Sequence, residues 1–229
     1  MSPPLTADAF VAQLRENAFA ALDVAGHAPD LHGWMDNLFA ETFAGFLAPR
    51  DRARPLTIVE VGTWKGHSAV KMAETAKALG FASTTLICVD TWLGAPEFWT
   101  WGLNDPTRGE SFHRKDGYPT VFYTFTRNAK ALGHADVIAP LPLSSIQAAD
   151  VLSYYTIKPD IIYVDAAHEY ESVLADLRAY WELLAPGGVL FGDDYVCWPG
   201  VTRAVNEFAA AKGLQPKVAG VVWTLHKLS

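Results

Sequence analysis

Ile161-Ile162-Tyr163-Val164 runs directly into Asp165-Ala166-Ala167-His168, and Gly188-Val189-Leu190-Phe191 runs into Gly192-Asp193-Asp194-Tyr195. Each apolar run is short and unbroken, the texture of a strand buried on both faces. Residues 169–184, between them, read as a helix. Strand, helix, strand is the unit of a parallel sheet covered on both sides. Both runs end in acids. If the two strands are neighbours, Asp165, Asp193 and Asp194 meet at one sheet edge. Like charges that close repel, and each raises the others' pKa. A divalent cation on oxygen ligands relieves the repulsion. His168, one helical turn beyond Asp165, is the residue type that takes a proton near neutral pH.

Outward from this unit the same alternation continues. Strands are expected at 57–61, 84–90, 136–139, 160–165, 188–192 and 221–226. Helices are expected at 68–79, 120–132, 145–153, 169–184 and 200–211. Two further helices, 5–25 and 31–48, come first, and an Arg- and Asp-rich connector at 49–55 separates them from the rest. The expected organisation is a helical extension over 1–55 and an α/β domain over 56–229. Residues 91–118 break the rhythm. They hold Trp92, Trp99 and Trp101 among Gly94, Pro96, Gly102, Pro106, Gly109 and Gly117. Such a long connection is usually functional or disordered, and three tryptophans argue against disorder. It reads as a lid or acceptor wall, or as an elaboration packed on the body.

The 229 residues fit one large domain, and half of them are apolar. The net charge of −7 and the scattered Lys and Arg give no nucleic-acid footprint. Cys88 lies in an apolar run, and its spacing to Cys197 matches no zinc pattern, so a reducing compartment is the default. The first residues lack the basic start and apolar stretch of a secretory signal, and no apolar run approaches the ~20 residues of a membrane span. The expectation is a soluble, cytoplasmic protein without membrane partner. Trp34, Phe39, Phe43 and Phe46 form an apolar stripe that serves either the core or a homodimer.

Val59-Glu60-Val61-Gly62-Thr63-Trp64-Lys65-Gly66-His67-Ser68 ends one strand and opens a helix. Gly62 permits a sharp turn, and Gly66 permits a ligand to approach the helix start. The pattern is Glu-x-Gly-x-x-x-Gly, not the Gly-x-Gly-x-x-Gly of dinucleotide binders, and Trp64 stands where the middle glycine falls. A pyrophosphate needs that close approach, so the spacing suits a ligand without phosphates. Asp90 ends the next strand, where an acid accepts hydrogen bonds from a ribose diol. Ribose without pyrophosphate points to S-adenosylmethionine.

Three stretches carry a resemblance: residues 58–68; Val89-Asp90-Thr91-Trp92; and residues 160–195 with the turn Leu184-Ala185-Pro186-Gly187-Gly188. Together they resemble class I S-adenosylmethionine-dependent methyltransferases, in particular the branch of macrocin-type O-methyltransferases and cephalosporin hydroxylase-like proteins. The likeness covers about residues 56–228.

The resemblance implies a Rossmann-like, seven-stranded, mostly parallel sheet with its last strand antiparallel and helices on both faces. The N-terminal helices and the Trp-rich insertion would be additions to it. It implies cofactor contacts from Glu60, Gly62, Thr63, Gly66 and Ser68 around the methionine end. Asp90 with Thr91 would hold the ribose, the Leu143-Ser144-Ser145 corner the adenine, and Asp165 would face both cofactor and metal. Alternatives stay open: Glu60 paired with Lys65 or Arg54, and Ser144 or Ser145 as a helix cap. Asp165, Asp193 and Asp194 would hold Mg²⁺ or a similar cation, with His168 and Asp165 as catalytic residues. The competing reading has Asp193 capping a turn and Asp194 paired with Arg203. The implied activity is divalent-metal-dependent O-methylation of a small hydroxylated acceptor such as a sugar or natural product. A metal-free enzyme of the same fold and a non-catalytic cofactor-binding subunit are the rivals. Tyr170, Tyr195 and Trp198 are candidate walls for the acceptor.

Overall fold

The computed structural model describes residues 5–100 and 112–228. Trp101, Gly102, Pro106 and Gly109 of the insertion lie outside the described residues. Seven strands form one sheet: β1 (Leu56–Val61), β2 (Thr84–Val89), β5 (Ile138–Leu141), β6 (Ile161–Val164), β7 (Val189–Gly192), β8 (Lys217–Ala219) and β9 (Val222–His226). Their order is β5-β2-β1-β6-β7-β9-β8, parallel except where β9 runs antiparallel to both its neighbours. The Rossmann-like fold expected from the sequence is the one observed, with β8 as a strand the alternation did not reveal. Arg114–Lys115 (β3) and Tyr118–Pro119 (β4) make a separate two-stranded ribbon in the insertion.

Register places the site. Val61 pairs with Val89 and Val164, and Val164 pairs with Gly192, so β1, β2, β6 and β7 end level. The residues that follow them, Gly62, Asp90, Asp165 and Asp193, therefore leave the sheet along one edge. The central strands have no polar face because helices cover both sides. Val59, Val61, Ile87 and Val89 face one core layer; Ile58, Leu86 and Cys88 face the other. Each such side chain contributes about 1.5–3 kcal/mol on burial.

The first layer is closed by α1 (Ala7–Phe19), α6 (Ser145–Tyr154), α7 (Tyr170–Leu183) and α8 (Pro199–Ala211). The second is closed by α2 (Phe39–Leu47), α3 (His67–Ala78) and α5 (Val121–Ala131). A single turn, α4 (Pro96–Trp99), starts the insertion. The N-terminal helices are shorter than expected. Helix α1 ends at Phe19, where Lys130 Nζ caps the carbonyls of Phe19 and Leu22. Residues 31–38 are not helical. Asp30 and Asp36 instead accept the N–H groups of His32 and Leu38, two residues on, which offers the backbone a turn in place of a helix. The stripe is divided: Phe39 and Phe43 are fully buried against Phe191, whereas Trp34 is 55% exposed. The core consumes most of the surface that suggested a homodimer.

Candidate functional site

A cavity of about 1130 Å³ opens at this sheet edge. Its floor is the turn after β1. Glycine at 62 is obligatory, because a Cβ there would sit 2.0 Å from the carbonyl oxygen of Asp165 and φ is +91°. The closeness follows from the register: the Gly62 N–H bonds Val89 O and the Asp165 N–H bonds Val61 O, both at 2.8 Å. Gly66 has a different reason from the expected approach of a ligand. Its φ is +88° and a Cβ would lie 2.7 Å from the Phe125 ring, so it lets α3 seat against α5.

Asp90 braces the loop from beneath. Its Oδ2 accepts the N–H groups of Thr63 and Trp64 at 3.0 and 2.8 Å, and its Oδ1 accepts that of Trp92 at 2.7 Å. Burial pushes its pKa up, opposed by those N–H bonds. Thr91 Oγ1 is turned to the Leu93 N–H. Glu60 is fully buried in β1 and accepts from the Ser68 hydroxyl. Burial raises its pKa to about 7, with the Ser68, Thr63 and Cys88 side chains opposing. Lys65 is not its partner; Nζ of Lys65 reaches Asp30 at 2.5 Å. Thr63 is buried on the cavity wall.

At the far end Leu143, Ser144, Ser145 and Ile146 line the cavity. Ser144 is also the cap of α6, its Oγ accepting the Gln147 N–H at 3.4 Å. Beside them stands Asp176 of α7, 2% exposed, with its pKa raised to about 6 by burial against a Ser145 hydrogen bond. A mid-helix aspartate gave no signal in the sequence.

The acidic corner differs from expectation in one member. Asp165, His168 and Asp194 bring one donor atom each within 4.8 Å of one another. Asp193 is not in this group; its Oδ1 turns back to accept the Asp194 N–H at 2.8 Å. That fixes Asp194 at φ +65° and aims its carboxylate at His168. Arg203, the other partner considered for Asp194, lies 3.8 Å over the Tyr170 ring. Burial, then Asp193 and Asp194, raise Asp165 to about 7, and the Tyr163 hydroxyl donates to its Oδ2 at 3.1 Å. Burial lowers the pKa of His168, but hydrogen bonding and charge from Asp194, then Asp165, carry it above its usual value. Two repelling carboxylates beside an imidazole nitrogen fit a divalent cation in ligand type and spacing.

Trp198 stacks on His168 and lines the cavity. Tyr170 and Tyr195 face away, their hydroxyls bonded to Glu207 and Asn206. Gly200 allows this corner to close: a Cβ there would lie 2.3 Å from the His168 carbonyl oxygen. Two further walls complete the cavity. One is the strap Gly33-Trp34-Met35-Asp36, which the sequence did not single out; the other is Gly94–Phe98, part of the insertion read as a lid or acceptor wall or as an elaboration of the body. The strap is latched through Asn128, which donates to the carbonyls of Asp30 and Lys65 and accepts the Asp30 N–H.

A family model described as a methyltransferase domain matches residues 59–195. An uncharacterized protein of Acanthamoeba polyphaga mimivirus is 24% identical over 184 residues, 76% of this chain and 72% of that one. The O-methyltransferase NovP superposes with a TM-score of 0.61 at 17% identity, covering 99% of this chain and 92% of its own. TomG, an O-methyltransferase of Streptomyces achromogenes involved in tomaymycin synthesis and solved with S-adenosylmethionine, gives 0.57 at 15% identity, covering 95% and 90%. At such identities the likeness is one of fold.

Proposed function

The chain belongs to the methyltransferase-domain family, and we propose that it moves the methyl group of S-adenosylmethionine to a hydroxyl of a small acceptor, with a divalent cation such as Mg²⁺ at the acceptor end. The observation that carries the reading is the placement of Asp165, His168 and Asp194 within 4.8 Å of one another on the wall of the cavity that the Gly62 turn and Asp90 also line.

In this reading the turn at Gly62 and the Thr63 and Trp64 backbone, held by Asp90, shape the seat for the methionine and ribose. Glu60 and Ser68 stiffen that seat from behind. The Leu143–Ile146 corner with Asp176 takes the adenine. Asp165 stands between the two halves, its carboxylate shared between the sulfonium side and the ion. Asp165, Asp194 and His168 would hold the cation, and Asp193 would orient Asp194 from outside. Once bound, the cation lowers the pKa of the acceptor hydroxyl and offers open coordination places for two neighbouring oxygens. Proton removal falls to His168, whose nitrogen then serves as base rather than as ligand. The protein's main contribution is alignment of nucleophile and methyl group.

Calorimetry with S-adenosylhomocysteine tests the seat, and the same titration with Mg²⁺ tests the acidic corner. Micromolar binding of the first and saturable binding of the second are the expected results. Retention of full turnover in excess chelator would leave a metal-free methyltransferase.

A further inference from the structure

Among the described residues, the insertion contributes one charged side chain to the cavity wall, Glu97 on α4. Its Oε2 is buried and accepts no hydrogen bond. A carboxylate oxygen withdrawn from water without a donor is costly. Among the described acids Glu60 Oε2 shares this state, but Glu60 lies inside β1 behind the cavity. On the cavity wall Asp90 has three backbone N–H groups, Asp193 has the Asp194 N–H, and Asp165 has the Tyr163 hydroxyl. Glu97 is the exception on the side that faces the acidic corner, near enough for its charge to favour protonation of His168.

The surroundings of Glu97 are aromatic. Phe98 follows it and stacks on Trp64 with ring centroids 4.5 Å apart; Trp34 of the strap lies 6.2 Å from Phe98. Trp34, Trp64 and Phe98 all line the cavity, as does Asp36 beside Trp34. Aromatic faces beside carboxylates attract a cation through the ring quadrupole and through charge-assisted hydrogen bonds together.

We infer that Glu97 is a specificity-determining residue and that the acceptor is a hydroxylated molecule carrying a protonated amine, such as an amino sugar. This rests on the methyl-transfer reading and adds the class of acceptor. The amine pairs with the Glu97 carboxylate beside the aromatic wall, while the hydroxyl to be methylated points towards Asp165 and His168. A carboxylated or phosphorylated acceptor meets repulsion from Glu97, Asp36 and the acidic corner.

The test compares three probes of one shape: methyl glucosaminide, methyl glucoside and methyl glucuronide. Each is titrated by ligand-observed NMR into protein saturated with S-adenosylhomocysteine and Mg²⁺. The amine should bind about tenfold more tightly than the neutral sugar, the size of one charge-assisted hydrogen bond, and the carboxylate more weakly than either. Glu97→Gln should bring amine and neutral sugar within about threefold, with S-adenosylhomocysteine affinity unchanged and the melting temperature no lower than that of the parent. Equal binding of amine and carboxylate overturns the inference, as does an unaltered preference in Glu97→Gln or silence from all three sugars. Failure of the unmutated protein to bind S-adenosylhomocysteine would overturn the methyl-transfer reading itself, and this inference with it.

Discussion

Nε2 of His168 lies 2.9 Å from Oδ2 of Asp194, and the imidazole is held flat against Trp198, ring centroids 4.6 Å apart at 10°. The pair is therefore rigid before any ligand arrives. Mg²⁺ should raise the melting temperature of the protein, because an ion that binds only the folded chain stabilises it. Asp165→Asn and Asp194→Asn should each weaken Mg²⁺ binding by more than about tenfold, and Asp193→Asn should do less, as expected of a residue that orients a ligand. Identical melting shifts in all three variants and the parent would show that the ion sits elsewhere.

The Glu60 carboxyl titrates near 7 in the folded chain against an ordinary value of 4.5, chiefly through burial. The folded state thus holds a proton that the unfolded state releases. Below about pH 4.5 both states are protonated and nothing is lost. As pH rises from there to about 7, stability falls by up to about 3 kcal/mol, then stays level. Glu60→Gln removes that slope. Denaturant melts of parent and variant from pH 5 to 8 should converge at the acid end and separate at the alkaline end, the variant being more stable.

Asp90 holds three backbone N–H groups. Asp90→Ala leaves those donors buried and should cost about 3 kcal/mol or more. It should also abolish S-adenosylhomocysteine binding. Asp90→Asn keeps one acceptor oxygen and should recover part of the stability. A stable Asp90→Ala protein that still binds would mean that the loop after β1 is held by its strands alone.

Gly62→Ala places a methyl group 2.0 Å from backbone at Asp165, where no side-chain rotation helps. Gly66→Ala meets only the edge of the Phe125 ring, besides the cost of its positive φ, about 1–2 kcal/mol. Little soluble Gly62→Ala protein and a folded, weakened Gly66→Ala protein are expected. Circular dichroism melts rank the two.

Much of this architecture is written in local pattern. The apolar run ending in Asp165 and the one ending in Asp193 each announce a strand and the acid beyond it, and the sheet register brings those ends level. What the pattern does not contain is side-chain direction past the strand ends. Asp193 and Asp194 are adjacent and chemically alike, yet one turns back to its neighbour's N–H and the other meets His168. The separation depends on the left-handed backbone at Asp194. Residues 31–38 show the converse. Their apolar spacing suits a helix, but Asp30 is tied to Lys65 and Asn128, far along the chain, and tertiary bonds override the periodicity. Glu97 and Asp176 carry no motif at all; only folding brings them to the cavity.

The strap gives the last prediction. Asn128 is fully buried and ties Asp30 N–H, Asp30 O and Lys65 O together, while Lys65 Nζ grips Asp30 from the loop after β1. One amide thus couples residues 30–36 to the turn that seats the cofactor. Asn128→Ala strands three backbone groups and should destabilise the protein by about 3 kcal/mol. Its more specific effect is local: the chain between 20 and 38 should become the first site cut in limited proteolysis. S-adenosylhomocysteine, by fastening the turn that Lys65 belongs to, should slow that cutting in the parent far more than in the variant. Equal protection of both would show that the strap and the cofactor seat are independent.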